Sequence, residues 1–156
     1  MNVSKKIIGF TVISLLFMIG CGEKNSLDIW EFRQVGTDKW YPAKIPGTIH
    51  TDLLSAGLIP DPFVSTNEEK VQWIENKDWE YRTTINASNK ILESTQINLT
   101  FKGLDTYADI ILNDSLIMIT DNMHIPWSKN IKNILQKGVN ELRVYFHSPI
   151  KIGQKN

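Results

Sequence analysis

Several stretches of this chain alternate apolar and polar residues with a period of two, the pattern of half-buried strands. In residues 96–101, Ile97, Leu99 and Phe101 share one face, and Gln96, Asn98 and Thr100 take the other. Residues 141–146 repeat this, with Leu142, Val144 and Phe146 opposite Glu141, Arg143 and Tyr145. In residues 79–85, Trp79, Tyr81, Thr83 and Ile85 alternate with Glu80, Arg82 and Thr84. Residues 108–112 and 116–119 flank Asn113-Asp114, a pair that tolerates positive φ and so predicts a tight hairpin. An opening strand is expected near residues 29–35.

Two short helices should interrupt the strands. Thr48 can cap a helix over residues 49–56, with Asp52 near its positive end and Gly57 as its stop. Asn130 can cap a second over residues 131–137, with Ile131, Ile134 and Leu135 as its apolar stripe and Gly138 at its end. Neither is long enough to cross between parallel strands, so the body reads as an all-β sandwich or jelly roll with two short helices. Residues 60–67 form a long loop, and such loops more often carry function than packing.

The first twenty residues follow another rule. Lys5 and Lys6 precede an apolar run over residues 7–20, and no acid occurs before Cys21, as in a secretory signal peptide. The run of 14 residues is too short for a bilayer span, which takes about 20. Met18-Ile19-Gly20-Cys21 resembles the lipobox of bacterial lipoproteins. That resemblance implies cleavage before Cys21, acylation of its thiol and a mature chain of 136 residues. At about 0.8 kcal/mol per buried CH₂, several acyl chains would hold it firmly on a membrane. Residues 22–26 read as a tether, and Gly22, in place of an aspartate, points to export to the outer membrane or periplasm of a Gram-negative bacterium.

Composition narrows the chemistry. The 156 residues do not allow a (β/α)₈ barrel, which needs about 250. Lys plus Arg equals Asp plus Glu at 17 each, so there is no basic field for nucleic acid. The single cysteine excludes an internal disulfide framework and a multi-cysteine metal site. His50, His124 and His147 lack metal-ligand spacing, no glycine-rich phosphate loop occurs, and no metal or other cofactor is implied.

Glycoside hydrolysis needs two carboxyl groups facing each other across a cleft, about 5 to 9.5 Å apart. Glu68 and Glu69 are adjacent, so in an extended segment they point to opposite sides. A solvated or structural pair is the better reading. The five tryptophans, Trp30, Trp40, Trp73, Trp79 and Trp127, are the richer signal. An exposed indole stacks on sugar C–H surfaces, whereas a buried one fills the core with its N–H bonded locally.

One ordered series of motifs says more. It runs from Lys44-Ile45-Pro46-Gly47-Thr48-Ile49-His50-Thr51-Asp52-Leu53 through Gly57-Leu58-Ile59-Pro60-Asp61-Pro62 and Asn67-Glu68. Val71-Gln72-Trp73-Ile74, Asp78-Trp79-Glu80-Tyr81, Phe101-Lys102-Gly103-Leu104-Asp105-Thr106 and Gly138-Val139-Asn140-Glu141-Leu142-Arg143-Val144 continue it. The series resembles the N-terminal domain of β-mannosidases of glycoside hydrolase family 2, over residues 27–150.

The resemblance implies a galactose-binding-domain-like jelly roll, called the sugar-binding domain, over residues 27–156, here expected to lack its last strands. In such enzymes an immunoglobulin-like domain and then a barrel with both catalytic glutamates follow, and terminal β-mannose is removed with retention. The first domain braces the barrel and lends loops to the active-site rim. Its Trp-Asp-Trp-Gly-Pro loop, which meets the sugar, does not occur in this sequence, so no residue is carried over as catalytic. Asn76, Asp78 and Trp79 align with a rim loop that approaches substrate in related β-galactosidases, which makes them the candidate carbohydrate-binding residues. His124 stands where an aromatic is usual, so the loop over residues 122–127 should pack differently.

The expected role is a non-catalytic domain of a β-mannosidase-like hydrolase, meeting β-mannoside or manno-oligosaccharide only within the full enzyme. Docking to a separately encoded barrel fits as well. The alternative is a stand-alone carbohydrate-binding surface lipoprotein.

Overall fold

The computed structural model describes Leu27 and residues 29–154. The expected signal peptide, Cys21 and the tether lie outside the described residues. Strand β1 (Trp30–Gln34) leads to β2 (Tyr41–Ala43) and helix α1 (Ile49–Ser55). Helix α2 (Asn67–Val71) runs directly into a 3₁₀ turn (Gln72–Asn76) before β3 (Trp79–Ala87). Then come α3 (Asn89–Leu92), β4 (Asn98–Phe101), β5 (Ala108–Leu112), β6 (Ser115–Thr120), β7 (Trp127–Asn130), β8 (Gly138–Phe146) and α4 (Pro149–Gly153).

Six strands form an antiparallel sheet in the order β2-β1-β3-β8-β5-β6, and β4 pairs β7 in a second, two-stranded sheet. The core takes Phe32, Tyr81, Ile110, Leu112, Leu142 and Val144 from the large sheet, with Leu99 and Phe101 of the small one packed against it. This is the expected β-sandwich.

The alternation of β8 and β3 follows directly from burial: Leu142 and Val144 are buried and Glu141 is exposed. Glu80 departs from it. It lies on the outer face, yet its side chain is only 6% exposed, because Arg33 at 2.7 Å and Arg143 at 3.3 Å close over it. The Trp40 ring lies 4.4 Å from the Arg33 guanidinium and 4.0 Å from that of Arg82. The β5–β6 hairpin is as expected, with Asn113 and Asp114 at φ 49° and 61° joining Leu112 to Ser115.

Helix α1 also matches its cap signals. Thr51 N–H donates to the Thr48 hydroxyl at 3.3 Å and Thr48 N–H to the Thr51 hydroxyl at 3.0 Å, and Gly57 takes φ +68° beyond the end. The second expected helix is corrected: residues 131–137 make a single turn, closed by Ile134 and Leu135 N–H to Ile131 O at 3.0 and 2.9 Å. Asn140 is the physical reason. Its Oδ1 accepts Gln136 N–H at 2.8 Å, and its Nδ2 donates to Gln136 O at 2.7 Å and Gly138 O at 2.9 Å. These bonds capture the backbone that a longer helix would need. Asn130 ends β7, and its Oδ1 accepts from Lys132 N–H at 3.0 Å.

Candidate functional site

The segment between β2 and β3 carries most of the candidate chemistry. Asp52 fixes its course: the Lys44 N–H and the Tyr81 hydroxyl each donate to the buried carboxylate at 3.0 Å. Burial, then the Asp52 charge and hydrogen bond, push the Tyr81 hydroxyl far above its usual range, so it remains a donor. Two clefts flank this segment. The smaller, about 150 Å³, lies among His50, Glu68, Val71, Gln72 and Glu75. The larger, about 260 Å³, is walled by Tyr41, Leu58, Trp73 and Trp79, with Gln34 and Lys39 on its polar side.

The three candidate sugar-contacting residues lie at the entrance to β3. Asn76 ends the 3₁₀ turn, exposed, with its Nδ2 donating to Gln72 O at 3.3 Å. Asp78 is tied into the fold. Ser148 N–H donates to its Oδ1 at 2.8 Å, and Lys151 Nζ and the Tyr145 hydroxyl donate to Oδ2 at 2.9 and 3.2 Å. Burial pushes the Asp78 carboxyl up, but these three donors outweigh it and hold the group below the ordinary 3.8. Burial and the Asp78 charge push the Tyr145 hydroxyl upward in turn. Trp79 is buried, its indole N–H donating to Ile74 O at 3.1 Å and its ring 6.0 Å from that of Trp73. The fold thus brings Asp78 and Trp79 together but directs their polar atoms inward, while Asn76 keeps an exposed side chain.

Glu68 and Glu69 lie on α2 rather than in an extended stretch, and both are exposed. Successive helix positions are about 100° apart, so the two carboxylates still do not face each other. The histidines stay apart: His50 lines the smaller cleft, His124 is exposed, and His147 Nε2 lies 2.9 Å from Asp109 Oδ2. Among the described residues no cluster of three His, Cys, Asp or Glu could hold a metal ion, and no helix is long and apolar enough to cross a membrane.

Four of the five tryptophans are engaged by the fold. Trp30 and Trp79 are buried, and Trp127 donates its N–H to Asn122 O at 2.8 Å, closing the loop before β7. The Trp40 ring is covered by two guanidiniums. Trp73, 37% exposed, keeps a ring surface open to the larger cleft. Sequence reasoning missed Phe63, which is 97% exposed on the loop before α2. Its signal was Asp61 two residues earlier, whose Oδ1 accepts the Phe63 N–H at 3.0 Å and shapes the loop.

Residues 30–156 match the family model described as "glycosyl hydrolase 2 galactose-binding domain-like". The chain belongs to this family. This family 2 domain is 39% identical over 129 residues to the β-mannosidase B of Thermothelomyces thermophilus, covering 81% of this chain and 15% of that protein. It is 33% identical over 147 residues to the β-mannosidase of Mus musculus, covering 92% of this chain and 17% of the relative. Among solved structures, the β-D-mannosidase of Dictyoglomus thermophilum superposes with a TM-score of 0.80 at 46% identity, over 81% of this chain and 16% of that one. An exo-chitosanase of Amycolatopsis orientalis shares the fold, with a TM-score of 0.71 at 24% identity over 81% and 17% of the two chains. The domain thus spans about a sixth of the length of the β-mannosidases it matches.

Proposed function

We propose that this chain is the non-catalytic N-terminal domain of a β-mannosidase-like glycoside hydrolase, whose full form removes terminal β-D-mannose residues with retention. The family match over residues 30–156, joined to 39% identity with a β-mannosidase B of which the chain spans 15%, carries the reading. The domain braces the catalytic barrel and shapes the rim of its active site. Asn76 reaches the sugar at that rim, while Asp78 and Trp79 hold the start of β3 beneath it. Engagement of four tryptophans within the fold favours this over a stand-alone sugar-binding protein, which would present its indole faces to ligand.

Purified chain is therefore expected to show no turnover of an aryl β-mannoside and no heat on titration with millimolar mannose or manno-oligosaccharide. Turnover that persists after every barrel-containing contaminant has been removed overturns the reading. Binding heat from the isolated chain favours the stand-alone alternative.

The reading extends to the first residues. Residues 1–20 act as a lipoprotein signal peptide, Cys21 is acylated, residues 22–26 tether the domain, and the protein sits at the outer membrane or in the periplasm. Basic Lys5 and Lys6, the apolar run and the Met18–Cys21 tetrapeptide support this. Labelled palmitate should enter the native protein and not its Cys21→Ser variant. Label retained by that variant contradicts acylation at Cys21.

A further inference from the structure

Exposed apolar side chains are unevenly distributed over this domain. Of twelve large apolar residues left exposed among the described residues, six fall within residues 45–73: Ile45, Leu54, Leu58, Phe63, Val64 and Trp73. Phe63 is 97% exposed, and Val64 beside it is 55% exposed. The loop that presents them is ordered by its own hydrogen bonds. Asp61 O accepts Val64 N–H at 3.2 Å and Asn67 Nδ2 at 3.0 Å, and Asn67 N–H reaches Val64 O at 3.2 Å. An exposed aromatic residue on a loop whose backbone is already hydrogen-bonded has the form of an interface anchor, the backbone part of its ordering cost met before binding. Acids border it in sequence: Asp61, Glu68, Glu69 and Glu75 stand against Lys70 in residues 60–76, a net formal charge of −3.

We propose that this loop docks the domain onto the catalytic part of a β-mannosidase-like enzyme, with Phe63 and Val64 entering an apolar pocket that has a basic rim. This rests on the reading of the chain as one domain of such an enzyme. The β-mannosidases it matches are about six times longer, so in such an enzyme a large remainder is available to cover an exposed face of this domain. The loop supplies the apolar anchor, and its acidic border supplies the charge complement. The other exposed apolar residues include Leu116 and Ile119 on β6 and Val139 on β8, set within strands rather than on a loop.

The test sets this chain in place of the matching 16% of the Dictyoglomus thermophilum β-D-mannosidase, as wild type and with Phe63→Asp, Phe63→Ala or Val139→Asp. Thermal inactivation of aryl β-mannoside turnover is followed in the chimeras, and thermal unfolding and oligomeric state in the free chain. Phe63→Asp should speed inactivation about tenfold or more and Phe63→Ala several-fold, with Val139→Asp changing it less than about twofold. None should shift unfolding of the free chain. If Phe63→Asp and Val139→Asp behave alike in an active chimera, the docking is overturned and the domain assignment stands. An inert wild-type chimera overturns the domain assignment and the docking with it. A free-chain dimer that Phe63→Asp splits makes a second copy the occupant, and also overturns the proposal.

Discussion

In the six-stranded sheet, β3 and β8 pair over nine residues and bury Tyr81, Leu142 and Val144, whereas β4 and β7 pair over four and leave Leu99, Phe101 and Trp127 half-exposed. The inner strands β1, β3, β8 and β5 each have two neighbours, while β4 and β7 have one apiece. The large sheet therefore holds the packing that makes this a domain. The small sheet covers one side of the core with little burial of its own. Six of the twelve large apolar residues exposed among the described residues fall outside both sheets, within residues 45–73 on and around α1 and α2. On the reading proposed above, stability and recognition fall to different parts of the chain.

Truncation of matched leucines should reveal this division most strongly. Leu142→Ala removes a fully buried side chain of β8 and should destabilise the chain by about 3 to 4 kcal/mol, against about 1 kcal/mol for Leu99→Ala in β4. Urea unfolding of the purified chain measures both. Equal losses would erase the distinction between the sheets.

Asn140 sharpens the comparison, because it joins the large sheet to the turn that follows the small one. Fully buried in β8, it bonds Gln136 on that turn, Asn113 of the hairpin at 2.8 Å and Ile85 O of β3 at 3.3 Å. Asn140→Ala leaves several of these groups unsatisfied and should cost about 2 to 3 kcal/mol. Hydrogen exchange should quicken first at Gln136 and Leu135. Loss of protection confined to β8 would show that the link carries no load.

The smallest expected effect is pH-dependent and local to the candidate rim. The folded Asp78 carboxyl titrates below its ordinary 3.8, so the unfolded chain binds the proton more readily. Its contribution to stability is complete above about pH 5 and is lost as pH falls through the folded pKa. Asp78→Asn should therefore be less stable than wild type near neutrality, with the gap closing in acid. A gap that stays constant from pH 6 to about 2.5 contradicts the role of Lys151 and Ser148 in holding the carboxylate.

Much of the large sheet was legible because its signals were local and agreed with one another. Period-two burial in β8, the Asn113-Asp114 turn and the Thr48 cap each specify one geometry. The segments misread, or left unread, are those where a distant partner decides. Residues 131–137 have a helical stripe, but Asn140 captures their backbone. Strand β2 contains Pro42 and pairs only with β1, and β7 is largely polar and held by β4 alone. At the candidate site, the motif series pointed to Asn76, Asp78 and Trp79 without revealing that α4 ties Asp78 inward through Ser148 and Lys151. The loop over residues 60–67 was legible, and Asp61 marks its turn, but neither signal tells whether Phe63 on that loop faces solvent or core.

The most direct test is to read the gene for roughly two kilobases beyond codon 156, a span set by a barrel of about 250 residues with flanking domains. This account predicts a reading frame that continues, or resumes after a frameshift, into a family 2 catalytic barrel. A true stop followed by unrelated sequence would contradict it.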